Sequence, residues 1–252
     1  MSLRAGRPEA TSSTSTPAPA PAETPTTTSI QTETPTTTTA AYAQPSTRQP
    51  KSLERFDAVE RAVHWTTAVI MLELIVTGAI LYIPSIALVV GHRAIVENIH
   101  VYTGLALLVP LVVGVAGPWR ERLVRDLRRF DRWTRADWDW FHRKARRSGL
   151  PAGKFNGGQK AEAAFLGSGM VVMLATGVLM RFAPVSWIEW QQGATLVHDV
   201  GFIAIGLAVL GHIYYALNRP EQLSSIVRGR VPRVWATKHT PAWVDEADEG
   251  EP

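Results

Sequence analysis

Apolar residues in this chain neither alternate nor form one-sided stripes. They come in four nearly uninterrupted runs, at residues 62–83, 94–117, 161–182 and 196–217. A helix needs about 20 apolar residues to cross a bilayer core of about 30 Å, and a helix that is apolar all round belongs in lipid or in a large core. The pattern therefore predicts an all-α membrane protein, a bundle of four transmembrane helices. Asp57 is placed to cap the first helix and Pro84 to stop it. Pro110 falls inside the second run and should kink it, which membrane helices tolerate when neighbours satisfy the freed carbonyl. Gly167, Gly169 and Gly177 give the third helix positions of close approach.

The polar segments set the boundaries and the orientation. Residues 1–50 are dominated by Pro, Ala, Thr and Ser and carry too little apolar surface to form a core, so a disordered tail is expected there. It lacks the apolar stretch behind a basic start that marks a secretory signal peptide. The membrane domain is expected over residues 53–245, with an acidic tail at 246–252. The connection 118–160 holds 13 Lys and Arg against 5 Asp and Glu, whereas 84–93 and 181–194 carry one Arg each. Positive charge concentrates on cytoplasmic loops, which puts that connection and both termini in the cytoplasm of a multi-pass protein of the cell membrane. Trp119, Trp133, Trp138 and Trp140 suit a segment lying in the lipid interface, and Trp187 and Trp190 mark an interface before the fourth run. The net charge of +4 is thereby accounted for by a membrane surface, and no nucleic-acid partner is expected.

Histidine placement supplies the chemistry. The last run is broken in polarity only by His198, Asp199 and His212. At about 1.5 Å and 100° per residue, His198 and His212 lie about 21 Å apart along one helix and within about 40° of one face. Imidazole inside hydrocarbon is costly without a partner. With the N-terminus inside, His64 opens the first span and His212 ends the fourth at the inner side, while His100 and His198 sit at the outer side. The four histidines thus fall into two depth-matched pairs, His64 with His212 and His100 with His198, each able to ligate one haem iron through two imidazoles. Gly104, one turn beyond His100, would let a flat ring approach the backbone. Zero cysteines exclude disulfides, iron–sulfur ligation and covalent haem attachment on this chain, so two non-covalent haems b are the expected cofactors. Glu73, mid-span, reads as a neutral or hydrogen-bonded carboxyl, with a proton-relay role as the alternative. His92, His142 and His239 lie in connections and read as ordinary surface histidines.

Several short motifs carry a family resemblance: Arg55-Phe56-Asp57, Glu60-Arg61, His64-Trp65, the run from Gly153 to Lys160 (GKFNGGQK), Gly211-His212-Ile213-Tyr214, Gly229-Arg230-Val231, Trp235-Ala236 and Lys238-His239. Together they resemble the cytochrome b (gamma) subunit of membrane-bound respiratory formate dehydrogenases, over about residues 53–245. The histidine pattern is shared more loosely with the cytochrome b subunits of nickel–iron hydrogenases and related dehydrogenases. The resemblance implies an electron-transfer subunit that takes electrons from an iron–sulfur subunit at the outer haem and passes them to a quinone, menaquinone or ubiquinone, beside the inner one. Formate oxidation is then expected on a separate catalytic subunit. It also implies a quinone pocket formed by Asn156 and His212, with Gly158, Gln159 and Lys160 close by, the glycines leaving room for the ring. The alternative to the pocket is a plain turn at the start of a helix, with Asn and Gly supplying the turn and Lys160 anchored to headgroups. The chain has Phe155 where that family commonly has Tyr, Gly157 where it commonly has Ala, and Glu221 after Pro220 where Gly is usual. The rival functions are the same module serving a hydrogenase or other dehydrogenase, and a haem-free membrane anchor or transporter.

Overall fold

The computed structural model describes residues 50–142 and 151–250. The tail expected over residues 1–50 lies, apart from Pro50, outside the described residues, as do the last two residues of the chain.

A three-residue strand, β1 (Ser52–Glu54), leads into α1 (Ala58–Tyr82). The start of α1 is a reciprocal cap: the Glu60 N–H donates to the Asp57 carboxylate at 2.7 Å and the Asp57 N–H to the Glu60 carboxylate at 2.8 Å, which satisfies two of the open amides of a helix start. The helix ends at Ile83, whose extended backbone is what a following proline requires. Pro84 then opens a short helix, α2 (Pro84–Val90), in what the hydrophobic pattern leaves as a plain connection. Gly91 and His92, with φ of +65° and +50°, turn the chain back. The second apolar run is split into α3 (Arg93–Ala106) and α4 (Val109–Ala116). The break follows from Pro110. Its ring would meet the carbonyl four residues back, on Ala106, and α3 stops at that residue, with the Leu107 N–H tightening onto the Gly104 carbonyl at 3.2 Å.

The basic connection contains α5 (Arg120–Asp131) and α6 (Arg135–Phe141). The third run is α7 (Gly157–Phe182). A 3-10 turn at Val185–Trp187 then leads into α8 (Ile188–Leu217), which at 30 residues is longer than the apolar pattern 196–217 predicts. Four helical stretches, Ala58–Tyr82, Arg93–Ala116, Gly157–Phe182 and Val185–Leu217, are long and apolar enough to cross a membrane, with mean hydropathies of 1.7, 2.0, 2.0 and 1.9. α7 packs along α8, α1 packs along α3 and α4, and the two halves meet through α3 against α7 and α1 against α8. Large apolar residues such as Val69, Val76, Val112, Leu207 and Leu210 remain exposed on the bundle. Lipid tails are as apolar as these side chains, so the helices gain nothing by burying them and approach instead at small residues. A Cβ on Gly169 would lie 3.1 Å from Ile205, and one on Gly201 2.6 Å from the Met173 sulfur.

After α8 come α9 (Pro220–Arg228), β2 (Arg230–Pro232), α10 (Arg233–His239) and α11 (Pro241–Asp248). β2 pairs antiparallel with β1, Leu53 opposite Val231, a two-stranded sheet that helical patterning does not reveal. Leu53, Val231, Ala236, Trp243 and Val244 form a small water-excluding core there. This pairing fastens the start of the domain to its end, so both lie on the same side of the bundle, as four spans require.

Candidate functional site

The four histidines expected to act in pairs do meet in pairs. The rings of His64 on α1 and His212 on α8 have centroids 6.3 Å apart, and those of His100 on α3 and His198 on α8 are also 6.3 Å apart. A metal–imidazole bond is about 2 Å and a ring nitrogen lies about 1 Å from the ring centre, so two imidazoles on opposite sides of one metal have centroids about 6 Å apart. Both pairs have that spacing. Among the described residues no group of three or more His, Asp or Glu converges as a metal site, and two nitrogens from opposite sides are the donor set that fits the two axial positions of a porphyrin iron. The space beside Gly104 is open: a Cβ there would meet only Leu74, at 3.8 Å. These residues therefore fit haem.

None of the four histidines stands at a helix end. His64 is six residues into α1, His100 seven into α3, and His198 ten into α8 because that helix starts early, at Ile188. The pairs still meet, because the first, third and fourth helices start earlier than their apolar runs while the histidines keep their places along them.

How each ring is held is the larger surprise. The Thr77 hydroxyl lies 2.8 Å from His100 Nδ1 and gives its one proton to the Glu73 carbonyl at 2.8 Å. With its proton on that carbonyl the hydroxyl accepts from His100, the arrangement that pairs an Nδ1–H tautomer with an Nε2 lone pair free for a metal. Thr176 repeats the device: its hydroxyl donates to the Val172 carbonyl at 2.8 Å and lies 2.9 Å from His198 Nδ1. Each threonine precedes a glycine, Gly78 or Gly177, whose added Cβ would lie 3.5 Å from Cε1 of the same histidine. The His64–His212 pair is held differently. His212 Nδ1 lies 3.2 Å from Glu162 Oε1 on α7, and His64 Nδ1 is buried without a partner among the described residues. Thr77, Thr176 and Glu162 were all missed by reading histidines alone. The repeated Thr-Gly within apolar runs, and a carboxylate at the same depth as His212, were the available signals.

The GKFNGGQK run forms the start of α7. The Asn156 side-chain oxygen accepts from the Gln159 N–H at 3.0 Å, and the Gln159 side chain accepts from the Asn156 N–H at 3.1 Å, the same reciprocal cap as at α1. Lys160 is buried, donating at 2.7 Å to both Asp137 and the Arg132 carbonyl, so it is a strut between α7 and α6 and not a headgroup anchor. The room made by the glycines is already taken. A Cβ on Gly157 would lie 2.4 Å from the Asp137 carbonyl oxygen and one on Gly158 2.4 Å from the Trp140 ring. Lys154 is also buried, bonded to Asp126 with Glu60 3.7 Å away, and burial holds its amine below the usual lysine range. Arg55, 2% exposed, donates to the Lys154 carbonyl at 2.6 Å, and burial brings it down to about 10. Arg61 and Trp65 donate to the Val227 and Ile226 carbonyls at 2.9 and 3.2 Å, tying α1 to α9. The motifs outside the histidines thus act mainly as the frame that holds the end of the bundle nearest His64 and His212.

The remaining sequence expectations are simply placed. Glu73 accepts from the Thr103 hydroxyl at 3.1 Å, the hydrogen-bonded reading. Asp199 is half-buried and has no hydrogen bond or ion pair among the described residues; its role has no account in this structure.

Comparison with known proteins gives a consistent picture. The family model described as prokaryotic cytochrome b561 matches residues 55–229. The formate dehydrogenase cytochrome b556(fdo) subunit of Escherichia coli strain K12 is 27% identical over 212 residues, covering 77% of this chain and 93% of that protein. The cytochrome b556(Fdn) subunits of the nitrate-inducible formate dehydrogenases of Escherichia coli strain K12 and Shigella flexneri are each 25% identical over 219 residues, covering 80% of this chain and 94% of theirs.

Proposed function

The chain belongs to the prokaryotic cytochrome b561 family, an integral membrane haem b protein, and from that premise we propose that it is the electron-transfer subunit of a respiratory formate dehydrogenase with two haems b. One is held between His100 and His198, the other between His64 and His212. The observation that carries this reading is the equal 6.3 Å spacing of the two histidine pairs on one shared helix. Haem b held between two histidines would supply a one-electron carrier closed to oxygen and substrate.

The chain's own residues order the transfer. Thr77 and Thr176 orient the His100 and His198 imidazoles through Nδ1, and α8 spaces the two sites by about 21 Å. His100 and His198 would hold the haem that takes electrons from an iron–sulfur partner, and His64 and His212 the haem that serves quinone, whose reduction to quinol takes two electrons and two protons; formate oxidation belongs to a separate subunit. Asn156 is the quinone-facing group. Its oxygen is engaged by the Gln159 N–H, so its side-chain amine is left to donate to a quinone carbonyl, with His212 on the haem side. Gln159 and Lys160 hold the start of α7 in place, and Gly158 admits Trp140 as a wall. The concentration of Lys and Arg between the second and third spans supports a cytoplasmic position for this end and for both termini. The similarity to formate dehydrogenase subunits favours that partner over a nickel–iron hydrogenase, and co-purification with a nickel–iron protein would overturn it.

The test is a haem count by pyridine haemochrome on the purified complex. The wild type should hold two haems per chain, and His212→Ala one, with quinone reduction lost. Retention of both haems by His212→Ala refutes the pairing.

A further inference from the structure

Of the four histidines, only one has a carboxylate against its outer nitrogen. His100 and His198 face threonine hydroxyls, which are neutral and already committed as donors. His64 Nδ1 faces nothing among the described residues. His212 Nδ1 has Glu162 Oε1 at 3.2 Å. Glu162 stands six residues after Asn156, about 9 Å along α7, so it lies between the capped start of that helix and the ring of His212. We propose that Glu162 is a positioning residue for His212, making the His64–His212 site electronically unequal to the His100–His198 site by favouring the oxidised iron there. This rests on the two-haem reading above.

The physical argument has two parts. An N–H aimed at a carboxylate orients the ring and raises the basicity of the opposite nitrogen, as with the outer partners of metal-bound histidines generally. A hydroxyl that can only accept orients the ring equally well but adds no charge. The extra negative charge stabilises the more positive state of the iron, because ligand basicity and nearby charge are the protein's levers on a haem potential. Glu73 and Asp199 also lie near His100 and His198, but neither carboxylate touches Nδ1 of those rings, and only His212 gains basicity through a direct tie to one. The bias lies at the site nearest the capped start of α7, where an iron of lower potential is the better donor to a quinone.

The test is a redox titration of the purified complex, followed by visible absorption, with wild type, Glu162→Gln and His198→Ala. Gln keeps an acceptor oxygen on an arm of the same length, so it preserves the tie to His212 while removing the charge. Wild type should show two waves, and His198→Ala should retain only the His64–His212 wave. Glu162→Gln should move that wave to higher potential and leave the other in place. An unmoved wave, an equal movement of both, or movement only of the wave that His198→Ala removes overturns the inference while leaving the two-haem reading intact. A wild type with fewer than two waves overturns the reading itself. If Glu162→Gln loads only one haem, Glu162→Asp decides the matter. Restored loading by the shorter but charged side chain supports the charge effect, and failure of both variants assigns Glu162 to packing alone and overturns it.

Discussion

Replacing Thr176 with valine removes one oxygen and nothing else of consequence in volume, and the structure says what should follow. The hydroxyl donates to the Val172 carbonyl at 2.8 Å and accepts from His198 Nδ1 at 2.9 Å. In Thr176→Val the Val172 carbonyl keeps its place in the helix ladder, but the Nδ1 proton of His198 loses its acceptor inside an apolar bundle. Leaving one buried donor unpaired costs about 1–3 kcal/mol, and removing the outer partner of a ligating histidine typically lowers metal affinity about 10- to 100-fold. The two figures agree, since 1.4 kcal/mol is tenfold. The assay is haem titration into apoprotein in a His64→Ala background, where only the His100–His198 site remains. Thr176→Val should weaken haem binding there about 10- to 100-fold, while Thr176→Ser, which keeps the oxygen, should stay close to the parent. An unchanged affinity in Thr176→Val would show that the threonine is a bystander and that the tautomer of His198 is set by something else.

Two further substitutions probe the frame. Lys154→Met removes the buried amine between Asp126 and Glu60, leaving Asp126 paired to Arg129 at 2.8 Å and Glu60 without an ion-pair partner among the described residues. Breaking such a group by removing one partner costs about 3–5 kcal/mol, so thermal unfolding in detergent should show an apparent Tm lower by about 10 °C, whereas an unchanged Tm would mean the network carries no net stability. Gly229→Ala forces a side chain onto a residue with φ +82°, with its Cβ 2.6 Å from the Phe56 carbonyl. It also disturbs the carbonyl that accepts from the Arg55 and Phe56 amides at 2.8 and 3.1 Å. A destabilisation of about 1–3 kcal/mol is expected, read as faster proteolysis between α9 and α11 with the membrane helices intact; wild-type protease resistance would refute it.

The four apolar runs, the two histidine pairs and the balance of charge between connections were legible from the sequence because each rests on one-dimensional quantities: length against bilayer thickness, and depth along a helix. Pro110 was legible for the same reason, since its ring acts on a carbonyl at a fixed distance back along the chain. The partners of the histidines were not legible. Thr77 lies 23 residues from His100, and Thr176 22 from His198, and nothing in a hydropathy pattern says which face of one helix meets which face of another. The glycines of GKFNGGQK show the same limit: their small size reads as room for a ligand, yet Trp140 and the Asp137 backbone fill that room. Lys160 reads as a pocket residue, or in the alternative as a headgroup anchor, and only packing turns it inward to Asp137. By itself, the sequence determined how many helices are long and apolar enough to cross, where along each the imidazoles stand and which connection carries the positive charge. The tertiary structure alone decided what stands behind each imidazole, a hydroxyl or a carboxylate, because that depends on helix rotation, which a uniformly apolar span leaves open until its neighbours pack against it.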